Sequence, residues 1–383
     1  MKDAICISGI GETEYSRRSG RSDVALAIEA INLALADAGL DRHDVDGLIS
    51  YYRGVPLEDV VVALGDHITF TCTTHMGGAS SVEALQKAAL AAQAAEATTT
   101  VVYVARNSSS GARIGERVLG RAPGRQFRRQ LEHPYGWISP AQWFAMVCRR
   151  HMHEFGTTQE QLGAAAVVMR ENARLNSRAI FRERPLTMQD YLASPMIADP
   201  LRKADCCLES DGGCAIVLTT PERARDLRTL PVYVSGIAEA RSKTPDDIVG
   251  RPEWMQTGTA DAADAAFRMA GVGPGDMDVA MLYDCFTFEL LHQLEEAGFC
   301  PRGESGPFVE SGAIARDGSL PVNTHGGLLA EAHMSGMNHV IEAVRQLRGE
   351  AGPRQVADAH WAAVSGWGGT GDATFSVLRT DRA

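Results

Sequence analysis

The sequence predicts a layered α/β architecture built from two duplicated halves, and three observations carry the prediction. Ala38–Tyr51, AGLDRHDVDGLISY, returns 232 positions later as Ala270–Tyr283, AGVGPGDMDVAMLY, with Ala, Gly, two Asp and the final Tyr in step. His75-Met76-Gly77-Gly78, ahead of the helical run SSVEALQKAALAA, is matched 258 positions on by His333-Met334-Ser335-Gly336, ahead of MNHVIEAVRQL. Strand-like and helical segments alternate in both halves, the pattern of helices layered on sheets. Two helix starts softened by glycine and aimed at a shared centre are one way to build a site on a pseudo-twofold axis.

The elements follow in order. The start, MKDAICISGIGETEY, reads as a strand. Residues 22–38 carry Val24, Ile28, Ile31 and Leu35 at helical spacing, and Gly39 stands where a left-handed cap is wanted. DGLISYY is the next strand; the Ala-rich run Ser80–Ala95 is a close-packing helix leading to the β-branched strand TTTVVYVA. CAIVLTT, Cys214–Thr220, closes the first half, which takes residues 1–106 and 206–222. Residues 107–205 are an insertion holding a Gly/Arg-rich loop and the helices PAQWFAMVCRRHMHEF and QEQLGAAAVVMRENARL. TTPERARDLRTLP, Thr219–Pro231, reads as the linker. The second half, 229–383, runs through PVYVSGIAEA, a helix ending near Met269, the strand DVAMLYDCF, the helices ELLHQLEEAGF and MNHVIEAVRQL, and the strands HWAAVSGW and ATFSVLR.

A chain of 383 residues, 45% apolar and 22% charged, can bury a sizeable core. Its net charge of -11 argues against general nucleic-acid binding, which rests on Lys and Arg neutralising phosphates. No apolar run reaches the roughly 20 residues that cross a bilayer, and the start lacks a charged leader, so a cytoplasmic protein without a membrane role is expected. The eight cysteines show no CxxC pair and no regular spacing, so most are expected to be buried thiols and no metal site is expected. Gly366-Trp367-Gly368-Gly369-Thr370-Gly371 precedes a strand rather than a helix, which makes it a tight connection rather than a dinucleotide loop.

The order of segments resembles the thiolase superfamily, most closely its sterol-carrier and lipid-transfer-protein branch. The resemblance rests on GETEYSRRSGRSDVALA, PLRKADCCLESDGGCAIVLTT, YDCFTFELLHQLEEAGFC and LPVNTHGGLLAEAHMSGMNHVIEAVRQLRG, and spans essentially the whole chain. It implies a thiolase-like fold of two αβαβα halves. Thiolases place a nucleophilic cysteine at the start of the first central helix; here that place is Gly78, and the second thiolase cysteine is missing from SGWGGTG. A glycine cannot form an acyl-enzyme. Relatives that also lack both cysteines are the steroid side-chain aldolases, which cleave a β-hydroxyacyl-CoA by retro-aldol chemistry and share the glycine pair after His75, the NTHGG of Asn323–Gly327, and a tyrosine heading a YDxF motif, here Tyr283. Two positions depart from the aldolase pattern: the second aldolase tyrosine is replaced by His333, and the YDHF histidine by Cys285.

Retro-aldol cleavage needs a base for the β-hydroxyl, donors for the developing enolate and an acid for the carbon left behind, but no nucleophile. The resemblance makes His333 and Asn323 the polarising or proton-transfer groups and Tyr283 a donor or relay, with His325 and His75 as secondary candidates. The helix starts at Gly78 and Gly336 supply positive dipole ends, with Cys285 beside them. Asp284 is expected to orient backbone at the strand end. No cofactor is expected beyond coenzyme A as part of the substrate. Two other functions stay open: a thiolase or acyltransferase using a displaced cysteine such as Cys285 or Cys72, and a non-catalytic protein that binds acyl-CoA. Seven arginines from Arg106 to Arg129 stand against the single Glu116, either as a solvated loop or as a seat for coenzyme A phosphates or an acidic partner. The resemblance also implies a homodimer, and a complex with a small zinc-ribbon/OB-fold protein as a heterotetramer in which the partner holds the metal.

Overall fold

The computed structural model describes residues 1–51, 54–65, 67–111, 129–242, 253, 255–369 and 371–381. Its strands are β1 (Cys6–Glu12), β2 (Gly47–Ser50), β3 (Phe70–Thr73), β4 (Thr99–Asn107), the short ribbon β5 (Met196–Ala198) and β6 (Leu201–Arg202), then β7 (Asp211–Thr219), β8 (Val232–Ala240), β9 (Val279–Met281), β10 (Trp361–Gly368) and β11 (Asp372–Arg379). The longer helices are α1 (Asp23–Ala38), α2 (Leu57–Leu64), α3 (Ser80–Gln93), α4 (Pro140–Phe155), α5 (Gln159–Arg174), α6 (Thr259–Ala270), α7 (Thr287–Glu296) and α8 (Met337–Arg348).

Both sequence echoes are echoes in the backbone. Ser22 Oγ accepts from Ala25 N at the start of α1, and the helix ends on Gly39 at φ 75°; α6 ends on Gly271 at φ 82°. A three-residue turn follows each, Arg42–Asp44 and Pro274–Asp276, and then β2 and β9, each leading to its tyrosine. Ahead of α3 and α8 the left-handed residues also correspond, Gly77 at φ 58° and Ser335 at φ 56°.

The sheet order makes the duplication explicit. The nine strands of the main sheet run β3-β2-β4-β7-β1-β8-β11-β10-β9. Within the first half this is third, second, fourth, fifth, first, with parallel pairs β2·β3 and β2·β4 and antiparallel pairs β4·β7 and β7·β1. The second half repeats the order and directions, its third strand reduced to a parallel bridge between Val322 and Ala280. The halves join where β1 meets β8, antiparallel at Cys6–Tyr233 and Ile7–Val232.

Side-chain alternation assigns the layers. On β4 and β7, Val101, Tyr103, Ala215 and Val217 pack with α1, whereas Val102, Val104, Ile216 and Leu218 pack in the cluster that holds α3 and α8. Small residues let the layers close: a Cβ on Gly9 or Gly11 would lie 2.2 Å from a carbonyl oxygen of α1. The expected strand DVAMLYDCF ends at Met281, because the residues beyond it exchange ladder bonds for the clamp described below. In the expected linker, Thr219 ends β7 and Pro221–Ala224 forms a helical turn capped by Thr220. Gly366 and Gly368 are close approaches of backbones: a Cβ on Gly366 would lie 2.8 Å from Ala79 Cα and one on Gly368 1.8 Å from Met76 O. Most of the arginine-rich loop, residues 112–128, lies outside the described residues. Among the described residues no helix is long and apolar enough to cross a membrane.

Candidate active site

The chain beyond β9 is held residue by residue. Asn323, in a left-handed conformation at φ 46°, accepts from Leu282 N at 2.8 Å and donates to Leu282 O at 2.7 Å. The Asp284 carboxylate accepts from Leu328 N at 2.8 Å and lies 3.1 Å from His339 Nε2. That seat requires glycine at 327, where a Cβ would fall 1.9 Å from Asp284 Oδ2. Between these two anchors, Tyr283 N donates to Ser365 Oγ at 3.0 Å and Tyr283 O accepts from Gln293 Nε2 at 2.6 Å, while Ser365 Oγ donates to Gln293 Oε1 at 2.6 Å. The Asn-Thr-His-Gly-Gly turn thus fixes Tyr283 by gripping its neighbours, and the backbone of Tyr283 has no slack.

This rigidity aims the phenol at the junction of the two central helices. Ser81 Oγ donates to Ser335 O at 2.7 Å, tying the helix starts together, and the space above Gly336 is within 3.8 Å of Gly78 O. A Cβ on Gly78 would stand 2.4 Å from Tyr283 Oη, 2.5 Å from its Cζ and 2.2 Å from Trp367 O; one on Gly336 would stand 3.2 Å from Tyr283 Cδ2. The tyrosine therefore occupies the volume that a side chain at 78 would need. Burial pushes the Tyr283 hydroxyl well above its usual range, with Cys285 and Tyr51 adding to the effect, so it is a proton donor. It is hydrogen-bonded to His333 Nε2 at 3.2 Å, and His333 is placed by its backbone N–H donating to Ser210 Oγ at 3.0 Å.

The other residues singled out in the sequence stand differently. Gly78 and Gly336 flank the tyrosine. Asn323 spends both ends of its amide on Leu282 and acts as the clamp rather than as a polarising group. His325 is fully buried, its Nε2 2.9 Å from His339 Nδ1; burial depresses its pKa well below the usual value, which makes it a neutral member of the His325–His339–Asp284 layer behind the turn. The His75 side chain is exposed, while its N–H and that of Met76 donate to Glu83 at 2.9 and 3.0 Å. Cys285 donates to Glu289, and burial together with that carboxyl raises its thiol well above the ordinary range, the opposite of what a nucleophile needs. Sequence reasoning missed Gln293, Ser365 and Glu289. Only Glu289 left a signal, standing four residues after Cys285 where a helix begins.

Comparison with known proteins gives consistent relatives. Residues 240–380 match the family described as thiolase C-terminal domain-like. The chain is 42% identical to a steroid side-chain-cleaving aldolase of Thermomonospora curvata over 91% of each chain. It is 40% identical to the 17-hydroxy-3-oxo-4-pregnene-20-carboxyl-CoA lyase of Mycobacterium tuberculosis, covering 91% of this chain and 92% of the other. Among solved structures, an Ltp2-ChsH2(DUF35) aldolase superposes with a TM-score of 0.93 at 38% identity, over 100% of this chain and 99% of that one.

Proposed function

From a chain that belongs to the thiolase superfamily, in the branch of the steroid side-chain-cleaving aldolases, we infer a carbon–carbon lyase that cleaves a β-hydroxyacyl-CoA by a retro-aldol step. The observation that carries it is the phenol of Tyr283 standing where a thiolase nucleophile would need room, hydrogen-bonded to His333. The substrate hydroxyl gives its proton to the Tyr283 oxygen as Tyr283 passes its own to His333 Nε2, so a phenol with a raised pKa works as a relay rather than as a phenolate base. The O–H electron pair becomes the carbonyl π bond, and the pair of the breaking C–C bond becomes the thioester enolate. The positive ends of α3 and α8 face that developing charge beside the buried Tyr283 and His333.

The acyl group is bulky and its β-carbon fully substituted, as in the substrate named for the Mycobacterium tuberculosis relative. For a hydroxyl at C17 and a thioester carboxyl on C20, the products of that bond cleavage are a 17-ketone and propionyl-CoA. A protein of the DUF35 kind, expected as an OB-fold with a zinc ribbon, is the proposed partner, supported by the likeness to the Ltp2-ChsH2(DUF35) aldolase. The assembly proposed with it is a heterotetramer built on a homodimer of this chain.

The test is mass spectrometry of the chain, co-expressed with a DUF35 partner, on a tertiary β-hydroxyacyl-CoA with and without free coenzyme A. Ketone and shortened acyl-CoA formed without free coenzyme A are expected. Turnover of a β-ketoacyl-CoA only when free coenzyme A is added would mean thiolysis and overturn the reading.

A further inference from the structure

The stretch that follows β9 and the one that leads into β7 run antiparallel past each other. Cys206 and Phe286 form an isolated antiparallel bridge, and Cys207 N donates to Cys285 O at 2.9 Å. Cys207 and Cys285 therefore stand directly opposite, one step along the same register. Residues directly opposite in an antiparallel pair carry their side chains on one face, with Cα atoms about 4.5–5.5 Å apart. That span lies inside the roughly 4.4–6.8 Å over which two cysteines can be bonded. Cys206 faces the other way, and its Sγ donates to Arg202 O at 3.4 Å. All eight cysteines are free thiols; Cys6, Cys148, Cys214 and Cys300 are buried, whereas Cys207 and Cys285 are partly exposed. Two facing thiols within reach of solvent are a dithiol, whatever else each of them does.

We propose that Cys207 and Cys285 are an oxidative modification site, closed by hydrogen peroxide into an intrachain disulfide. One thiolate attacks the O–O bond, giving a sulfenic acid and hydroxide, which takes up the proton that thiol released. The second thiol then attacks the sulfenic sulfur; its proton leaves with the departing hydroxyl as water, and the S–S bond forms. Two thiols are oxidised and one peroxide is reduced to two waters. Burial holds both thiols well above the ordinary range, so thiolate is scarce at neutral pH and closure speeds up about tenfold per pH unit. The cross-link takes Cys285 Sγ from Glu289 and ties the stretch that carries Tyr283 to the one whose Ser210 holds His333. Turnover stops because these two stretches can no longer adjust to the substrate independently. The site itself follows from the backbone register and does not rest on the retro-aldol reading.

The experiment treats the chain, co-expressed with its DUF35 partner, with hydrogen peroxide at two pH values one unit apart, and maps the alkylated peptides by mass spectrometry alongside ketone release from a tertiary β-hydroxyacyl-CoA. A Cys207–Cys285 peptide pair short of two hydrogens and reopened by dithiothreitol is expected in wild type and in Cys206→Ser, and is expected to be absent from Cys207→Ser. Ketone release by wild type should be lost in step with the cross-link and return with dithiothreitol. Wild type that links Cys206 to Cys207 instead, that forms no bond between Cys207 and Cys285, or that turns over at full rate when cross-linked overturns the proposal. A wild type that cross-links at this pair but cleaves no β-hydroxyacyl-CoA even when reduced sinks the retro-aldol reading and leaves the modification site standing.

Discussion

Gly78→Ala is the smallest change that tests whether Tyr283 has taken the nucleophile's place. The added methyl would stand 2.2 Å from Trp367 O and 2.4 Å from Tyr283 Oη, far inside contact distance, so a neighbour must move by the better part of an ångström. Neither neighbour can do so freely. Trp367 is paired in the β10·β11 ladder opposite Ala373, and Tyr283 is pinned at its own N–H and C=O by Ser365 and Gln293. Overpacking of this kind costs about 1–3 kcal/mol. The softer response is rotation of the phenol away from His333, breaking the 3.2 Å hydrogen bond. A misplacement of roughly 1 Å at a reacting group costs about 10²-fold in rate. Scanning calorimetry and ketone release by mass spectrometry read the two effects, with Gly275→Ala, whose Cβ would meet nothing within 4 Å, as the control. A Gly78→Ala protein with the wild-type melting temperature and wild-type ketone release would show that the space above Gly78 is open and that the geometric case against a side chain there is wrong.

Three further outcomes are expected. Tyr283→Phe keeps the ring and removes the donor, so steady-state kinetics should show kcat lowered by about 10²–10⁴-fold with KM little changed; an unchanged kcat would remove Tyr283 from the relay. Asn323→Ala leaves Leu282 N–H and C=O without partners in the interior, a loss of roughly 2–4 kcal/mol in urea unfolding, whereas His75→Ala at an exposed position should stay within about 0.5 kcal/mol. Glu289 holds its proton in the folded state up to about pH 8 but only to 4.5 when unfolded, so the folded chain binds more protons across that window and stability falls as pH rises through it. The drop is on the order of 5 kcal/mol at most, and urea unfolding of Glu289→Gln should show a flatter pH dependence; an identical slope would mean the carboxyl is ionised in the fold.

The fold was legible because duplication is written locally. A helix stop at Gly39 and Gly271, a turn, and an apolar strand ending in tyrosine are all short-range signals, and their recurrence at one offset fixes two equivalent halves. The site was legible in part. Gly78, Tyr283 and His333 could be singled out from residues that depart from or keep the family pattern, and the structure brings them together, but what Asn323 does depends on Leu282, 41 residues away, with which it forms paired hydrogen bonds. The same holds for Ser365, 82 residues from the backbone it supports. A side chain that grips backbone across such distances leaves no periodicity behind, and histidines such as His325 and His75 differ in burial for reasons set wholly by tertiary packing.

The duplication also explains why the two corresponding tyrosines are placed differently. Tyr51 and His75 are the counterparts of Tyr283 and His333, and Gly77 and Ser335 share the same left-handed turn. Yet Tyr51 donates to Gly77 O at 2.7 Å, and its hydroxyl serves the turn before α3. The reason is spatial. Near the axis, Gly78 and Gly336 lie so close that the ring of Tyr283 covers both, and a second phenol in the equivalent pose would enter the same volume. One tyrosine must therefore yield, and the one that yields becomes a brace for the glycine turn on which the other rests. On this argument the glycine at 78 and the tyrosine at 283 are a single structural arrangement: the absence of a side chain at 78 leaves the space, and only one half of the duplicated fold can fill it.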